Sequence, residues 1–190
     1  MVKEIFEEKK RLFQELEECG YIDKVEKIAD VMQAHMKCNH KVLLAGNGGS
    51  AADAQHFAGE MVGRFLRERE AVPAIALTTD SSVVTCIAND YGYDNVFARQ
   101  VEGLGRQGDI FVAISTSGNS LNLVKALQAA KKKEMITIGL LGKEGGKMKE
   151  VCDYALIVPS QSTPRIQEIH TLTVHILCEL LEEELFKNEA

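Results

Sequence analysis

The chain has 190 residues, of which 45% are hydrophobic and 26% charged, and a formal net charge of −6. That length suits one domain, the acidic balance argues against the basic surface that nucleic acid requires, and no apolar run approaches the ~20 residues of a membrane span. Five scattered cysteines without a C-x-x-C pair read as reduced thiols, with neither a disulfide frame nor a cysteine metal site. The start, MVKEIFEEKKR, lacks the apolar core of a signal peptide, so a cytoplasmic protein is expected.

Val2, Ile5, Phe6, Leu12, Phe13 and Leu16 fall on one helical stripe over residues 2–18, which Gly20 ends. Ile22, Val25, Ile28, Ala29, Met32 and Met36 draw a second stripe over 22–37. Two amphipathic helices ahead of any strand need a surface to cover them, on the domain or on a second chain. His35 and His40 read as ordinary surface residues.

Residues 42–60, VLLAGNGGSAADAQHFAGE, are the stretch around which the chain is organised. An apolar run breaks into a glycine turn and then an Ala-rich helical pattern, the grammar of a buried strand, a tight turn and a helix. Glycines let a ligand approach the backbone, and the N–H groups opening the helix favour an anion. His56 and Glu60 follow at i,i+4, which puts an imidazole and a carboxylate on one helix face about 6 Å apart along the axis. Such a pair is also common on solvated helix surfaces. Gly46-Asn47-Gly48-Gly49-Ser50-Ala51 fits the dinucleotide fingerprint G-x-G-x-x-A as well, but that reading wants an acidic residue about 20 positions on, and Asp80 comes too late.

A second apolar run, Ala74 to Leu77, ends in Thr78-Thr79-Asp80-Ser81-Ser82, and a helical segment leads to a loop expected at Asn89-Asp90-Tyr91-Gly92-Tyr93. A further helix reaches about Leu104. The third strand, Asp109 to Ile114, ends in Ser115-Thr116-Ser117-Gly118-Asn119-Ser120 and opens a helix over 121–132. Hydroxyls at a helix N-terminus, without a P-loop lysine, suit a phosphomonoester better than a nucleoside triphosphate; a hydroxyl-rich cap with no ligand is the alternative. Strands at Met135–Leu141 and Tyr154–Val158 flank the loop Gly142-Lys143-Glu144-Gly145-Gly146. Thr163 and Pro164 read as N-cap and N1 of a helix running to about Phe186. That helix carries Gln167 and His175, about 80° apart around it and roughly 12 Å apart along it. Five strands alternating with helices predict an α/β three-layer sandwich with a parallel sheet, and a ligand site at the strands' carboxyl ends.

GNGGSAADAQHFAGE, IAND, ISTSGNS, RIQEIH and the following His175 together resemble the sugar isomerase (SIS) domain, and within it the phosphoheptose isomerases, over nearly the whole chain. The resemblance implies one SIS domain over 1–190, with a helical extension at 1–38 on an α/β core at 39–190. It implies a homotetramer with the N-terminal helices at the subunit contacts. It implies interconversion of sedoheptulose 7-phosphate and D-glycero-D-manno-heptose 7-phosphate, on the way to lipopolysaccharide heptose. By the same resemblance Asn47, Gly48, Gly49 and Ser50 match the sugar-contacting turn, and Asn89 and Asp90 a second substrate loop. Ser115, Thr116, Ser117 and Ser120 match a phosphate cradle. His56, Glu60, Gln167 and His175 match positions that hold zinc, with Gln167 and Glu60 also touching substrate and Glu60 and His175 serving as base and acid. Some SIS relatives are non-catalytic and bind the bacterial replication initiator; they typically lack the counterparts of Glu60 and His175, and this chain has both. A sugar-phosphate sensor domain would come fused to a DNA-binding module, and none is visible. Aldose–ketose interconversion needs a base to move a proton between C1 and C2 and an acid to serve the oxygens, and a carboxylate and an imidazole suit those tasks.

Overall fold

Apolar runs become strands and periodic stretches become helices. The computed structural model describes residues 1–187. In chain order these form α1 (Val2–Glu18), α2 (Tyr21–Lys37), β1 (Val42–Gly46), α3 (Gly49–Val62), β2 (Ala74–Ala76), α4 (Ser81–Tyr91), α5 (Val96–Leu104), β3 (Ile110–Ser115), α6 (Leu121–Lys132), β4 (Ile136–Gly142), α7 (Gly146–Lys149), β5 (Tyr154–Val158) and α8 (Thr163–Leu185). A 3₁₀ turn at Tyr93–Asn95 precedes α5.

The five strands are all parallel, in the order β2-β1-β3-β4-β5. A parallel sheet is covered on both faces, which is why its strands read as unbroken apolar runs. Within them the pleat still sorts side chains. Val42, Leu44, Val112, Ile114, Ile138 and Leu140 enter one core with α1, α2, α3 and α8, while Leu43, Ala45, Phe111, Ala113 and Leu141 enter the other with α4, α5 and α6. The chain leaves β1 outward to β2 and then returns to the opposite flank of β1 as β3. The strand order therefore reverses between β1 and β3, where α3 and α6 depart to opposite faces and open a crevice at the carboxyl ends.

The structure corrects several local readings. Asn89 and Asp90 close α4 instead of lying in a loop: Val83, Val84 and Ile87 pack the helix down, and it stops at Gly92, whose φ is 82°. Asn and Asp favour turns, and here packing overrides that preference. The α8 N-cap is Ser162, with Thr163 already helical. His35 and His40 are half-buried; His35 Nδ1–H donates to the Gly108 carbonyl at 2.7 Å and ties α2 to the turn before β3. Lys131, in the last turn of α6, pairs with Asp153.

His170, fully buried on α8, donates from Nε2 to the Leu141 carbonyl of β4 at 3.0 Å. Burial pushes its pKa down to about 4, against that hydrogen bond, which works upward. The unfolded chain takes up this proton near pH 6.5 and the folded chain only near pH 4, so the stability it contributes is complete above the first value and is lost as pH falls toward the second. We expect wild-type unfolding free energy to drop by ~2 kcal/mol more than that of His170→Gln between about pH 7.5 and about pH 5. Parallel pH slopes in urea titrations of the two proteins would contradict it.

Candidate active site

Two clusters meet above the β1/β3 crevice. The first is a cavity of about 120 Å³ lined by Asn47 from the end of β1, Ser50 from α3, and Ile114, Ser115, Thr116, Ser117 and Ser120 from the end of β3. Its shape comes from the loop folding on itself. Ser115 Oγ accepts from Gly118 N–H at 3.1 Å, and Ser117 Oγ accepts from Asn119 N–H at 3.2 Å. Gly118 has φ 65°, and a Cβ there would come within 1.9 Å of the Gly145 carbonyl oxygen. Only glycine lets the 142–146 loop back the cradle this closely. Met148 N–H donates to the Gly118 carbonyl, and Lys147 N–H to Asn119 Oδ1. The hydroxyls thus stand before the N-terminus of α6, whose leading N–H groups and dipole favour an anion. The adjoining cavity, which shares Ser117, is lined by both Lys143 and Glu144.

Asn47 is fixed by Asn122 of α6: the two amides exchange hydrogen bonds of 3.1 and 2.9 Å. Tyr93 OH also donates to Asn47 Oδ1 at 3.1 Å. Neither partner stands out in sequence. Asn122 resembles any polar residue near a helix start, and Tyr93 any aromatic in a loop. Asn89 and Asp90 lie apart from this network, Asn89 Nδ2 donating to Asp90 Oδ1 and Cys86 Sγ facing Asp90 Oδ2. The residue of that segment that reaches Asn47 is Tyr93.

The second cluster stands on α3 and α8, which run parallel and touch in successive rungs. Gln167 lies against Gly49, where a Cβ would come within 2.2 Å of its Nε2; the glycine that shapes the turn also admits a side chain from α8. One turn further, Thr171 Oγ1–H donates to Asp53 Oδ1 at 3.0 Å. Next, His56 Nε2 and His175 Nε2 meet at 2.8 Å, with Glu60 Oε1 3.6 Å from His56 Nδ1. Phe65 stacks on His175, ring centroids 5.7 Å apart. Burial pushes the Asp53 pKa up, opposed by the Thr171 hydrogen bond and the attraction of His56.

Beyond this, a buried carboxylate anchors the loop that follows α3. Glu182 of α8 accepts from the backbone N–H groups of Phe65, Leu66 and Arg67 at 2.8–3.1 Å and from Arg69 Nε at 3.1 Å. Burial works to raise its pKa, but those donors prevail and it is lowered. Arg69 in turn donates to the carbonyls of Met61 and Glu60. The structure thus brings together His56, Glu60 and His175, sets Gln167 two rungs away beside Gly49, and leaves Asn89 and Asp90 outside.

Two imidazole nitrogens pointing at each other either share a proton or flank an ion. Among the described residues no three His, Cys, Asp or Glu side chains converge as a metal cluster; imidazole and carboxylate are suitable ligand types, but the two rings stand at hydrogen-bond distance, and they, Glu60 and Gln167 would all have to turn to surround an ion.

Comparison with known proteins agrees with this architecture. The SIS domain family matches residues 5–142, which takes in the cradle and α3 but not α8. The chain is 52% identical over 185 residues to the phosphoheptose isomerase of Sulfurimonas denitrificans, covering 97% of this chain and 93% of that one. It is 60% identical over 157 residues to phosphoheptose isomerase 2 of Campylobacter jejuni, covering 83% and 78%. The structure of phosphoheptose isomerase GmhA from Neisseria gonorrhoeae superposes with a TM-score of 0.90 at 44% identity, covering 96% of this chain and 97% of that one. The hydroxyl cradle, the facing histidines and these relatives place the chain in the SIS-domain phosphoheptose isomerase family.

Proposed function

We propose that the protein interconverts sedoheptulose 7-phosphate and D-glycero-D-manno-heptose 7-phosphate. The observation that carries this reading is the pairing of an anion cradle at the β1/β3 crevice with His56, Glu60 and His175 on the adjoining helices. The phosphate docks on Ser115, Thr116, Ser117 and Ser120, before the N-terminus of α6. Asn47, Gly48, Gly49 and Ser50 face the sugar chain from the other side of the crevice. Gln167, beside Gly49, sits where it can hold a hydroxyl of the same chain. The C1–C2 end then extends toward the α3/α8 ladder. Glu60 takes the carbon-bound proton, His175 protonates and deprotonates oxygen, and an enediol links the two sugars. Asn89 and Asp90, on the last turns of α4 in the segment that leads to Tyr93, supply a second set of substrate contacts.

His56, Glu60, Gln167 and His175 are the residues that would hold Zn²⁺. Imidazole and carboxylate suit that ion, and an amide is a weak ligand, so partial occupancy is expected. When bound, such an ion polarises a carbonyl oxygen. The test is an isomerase assay with sedoheptulose 7-phosphate, with and without added Zn²⁺. Aldose product should appear, and its absence under both conditions would remove the catalytic reading.

The assembly we propose is a homotetramer. Phe13, Ile22, Leu172 and Ile176 are exposed large apolar residues around a groove of about 310 Å³ between α1, α2 and α8, with Val2 and Phe6 exposed further along α1. Contiguous apolar surface of this kind marks a protein–protein contact. Sedimentation should give about four times the 21.0 kDa chain mass; a monomer at micromolar concentration would refute it. No helix among the described residues is long and apolar enough to cross a membrane.

A further inference from the structure

The rung between the Gln167–Gly49 contact and the facing histidines has no part in the chemistry just described, and it is poorly explained as packing. Asp53 presents a carboxylate to α8. One oxygen accepts from Thr171, while Oδ2 is buried without a hydrogen-bond partner. A half-satisfied carboxylate at a helix contact is costly compared with an apolar residue of similar size. Thr171 Oγ lies within reach of two acceptors, Asp53 Oδ1 at 3.0 Å and the Gln167 carbonyl at 3.1 Å. A threonine within a helix commonly turns its hydroxyl back to the carbonyl four residues earlier. Here its one proton has a carboxylate to choose, the stronger acceptor.

The rung sits one turn before the catalytic one on both helices: Asp53 precedes His56 by three residues, and Thr171 precedes His175 by four. A parallel helix pair can slide along its axis, and a directional bond at this level fixes the slide where apolar contacts alone leave it soft. We propose that Asp53 and Thr171 are a positioning pair, whose hydrogen bond sets the register of α3 against α8 and thereby the approach of His175 to His56 and Glu60. Neither residue touches the cradle, so the pair acts on turnover and leaves binding of the phosphate end alone. This inference rests on the assignment of Glu60 and His175 proposed above.

The test uses the full chain and four variants. Thr171→Val keeps the shape and removes the donor, Thr171→Ser keeps the donor, Asp53→Leu removes the acceptor, and Thr171→Val/Asp53→Leu removes both. Loss of a partner that orients site residues typically costs about 10–100-fold. Each single loss should therefore cut kcat at least about tenfold, with KM for the sugar phosphate within about twofold. The double variant should be no worse than the poorer single one, because both act through one bond, and Thr171→Ser should stay within about twofold of wild type. Independently of activity, a crystal structure of Thr171→Val should show the His56 and His175 rings drawn apart. Wild-type kcat in Thr171→Val, fully additive losses, or an unchanged histidine pair in that structure would each overturn the proposal. A wild-type chain inactive on the sugar phosphate would sink the proposed function instead, and the histidine geometry would still decide this inference.

Discussion

Replacing Glu60 with Gln, or His175 with Gln, should lower turnover at least about a hundredfold, while each variant still folds and still binds the sugar phosphate. An acid or base in position typically contributes ~10²–10⁴-fold. Each amide keeps much of the volume of the group it replaces but can neither take up a proton from carbon nor shuttle one between oxygens. Binding survives because the cradle is built from other elements: its cavity is lined by residues at the ends of β1 and β3 and the start of α3, not by Glu60 or His175. The two losses should combine to much less than their product, as expected for groups that work as a unit. Reaction in deuterated water should also carry deuterium to C2 of the aldose in the wild type, and Glu60→Gln should lose that exchange together with turnover. A correctly folded Glu60→Gln protein with near-normal kcat would show that the base is another residue.

The largest expected effect on stability lies at Glu182→Ala, with a cost of about 3–5 kcal/mol and a fall in Tm of roughly 10 °C. Both Glu182 and Arg69 side chains are only 3% exposed. Removing the carboxylate strands a buried guanidinium and takes the acceptor from three successive backbone N–H groups at once. Replacing both members with apolar residues should cost less than removing Glu182 alone, since no unpaired charge remains. The damage should also reach the active site. The loop held by Glu182 carries Phe65, which stacks on His175, and Arg69 holds the carbonyl of Glu60. Chemical denaturation of Glu182→Ala that shows a loss under about 1 kcal/mol would mean the pair is far better solvated than its burial implies.

Much of this architecture was legible because the chain writes it in periodicity. The apolar runs at β1, β3, β4 and β5 and the stripes of α1 and α2 are what a two-faced parallel sheet and its outer helices require, and the structure returns them within a residue or two. The hydroxyl loop was legible for a different reason: hydroxyls and glycine at a strand end directly before a helix suit an anion, and the structure gathers them around one cavity. What was not legible depends on side chains meeting across long separations. Nothing near Asn122 says that it will exchange amide hydrogen bonds with Asn47, 75 residues earlier. Nor does anything near Glu182 announce that it will collect the N–H groups of Phe65 to Arg67. Asn89 and Asp90 misled in the opposite direction, since their turn-forming chemistry lost to the apolar face of α4.

The parallel run of α3 against α8 also has a temporal consequence. Its rungs join residues 118 or 119 positions apart in sequence, and four of the five strands lie between the two helices in the chain. Contacts of that span form late, after the entropy of closing the intervening chain has been met by the sheet itself. During synthesis the hydroxyl loop at the end of β3 leaves the ribosome before α8 does. His56 and Glu60 then face solvent on an unpaired helix until His175 arrives. On the site proposed above, the meeting of His175 with His56 and Glu60 is expected among the later steps of folding of the chain.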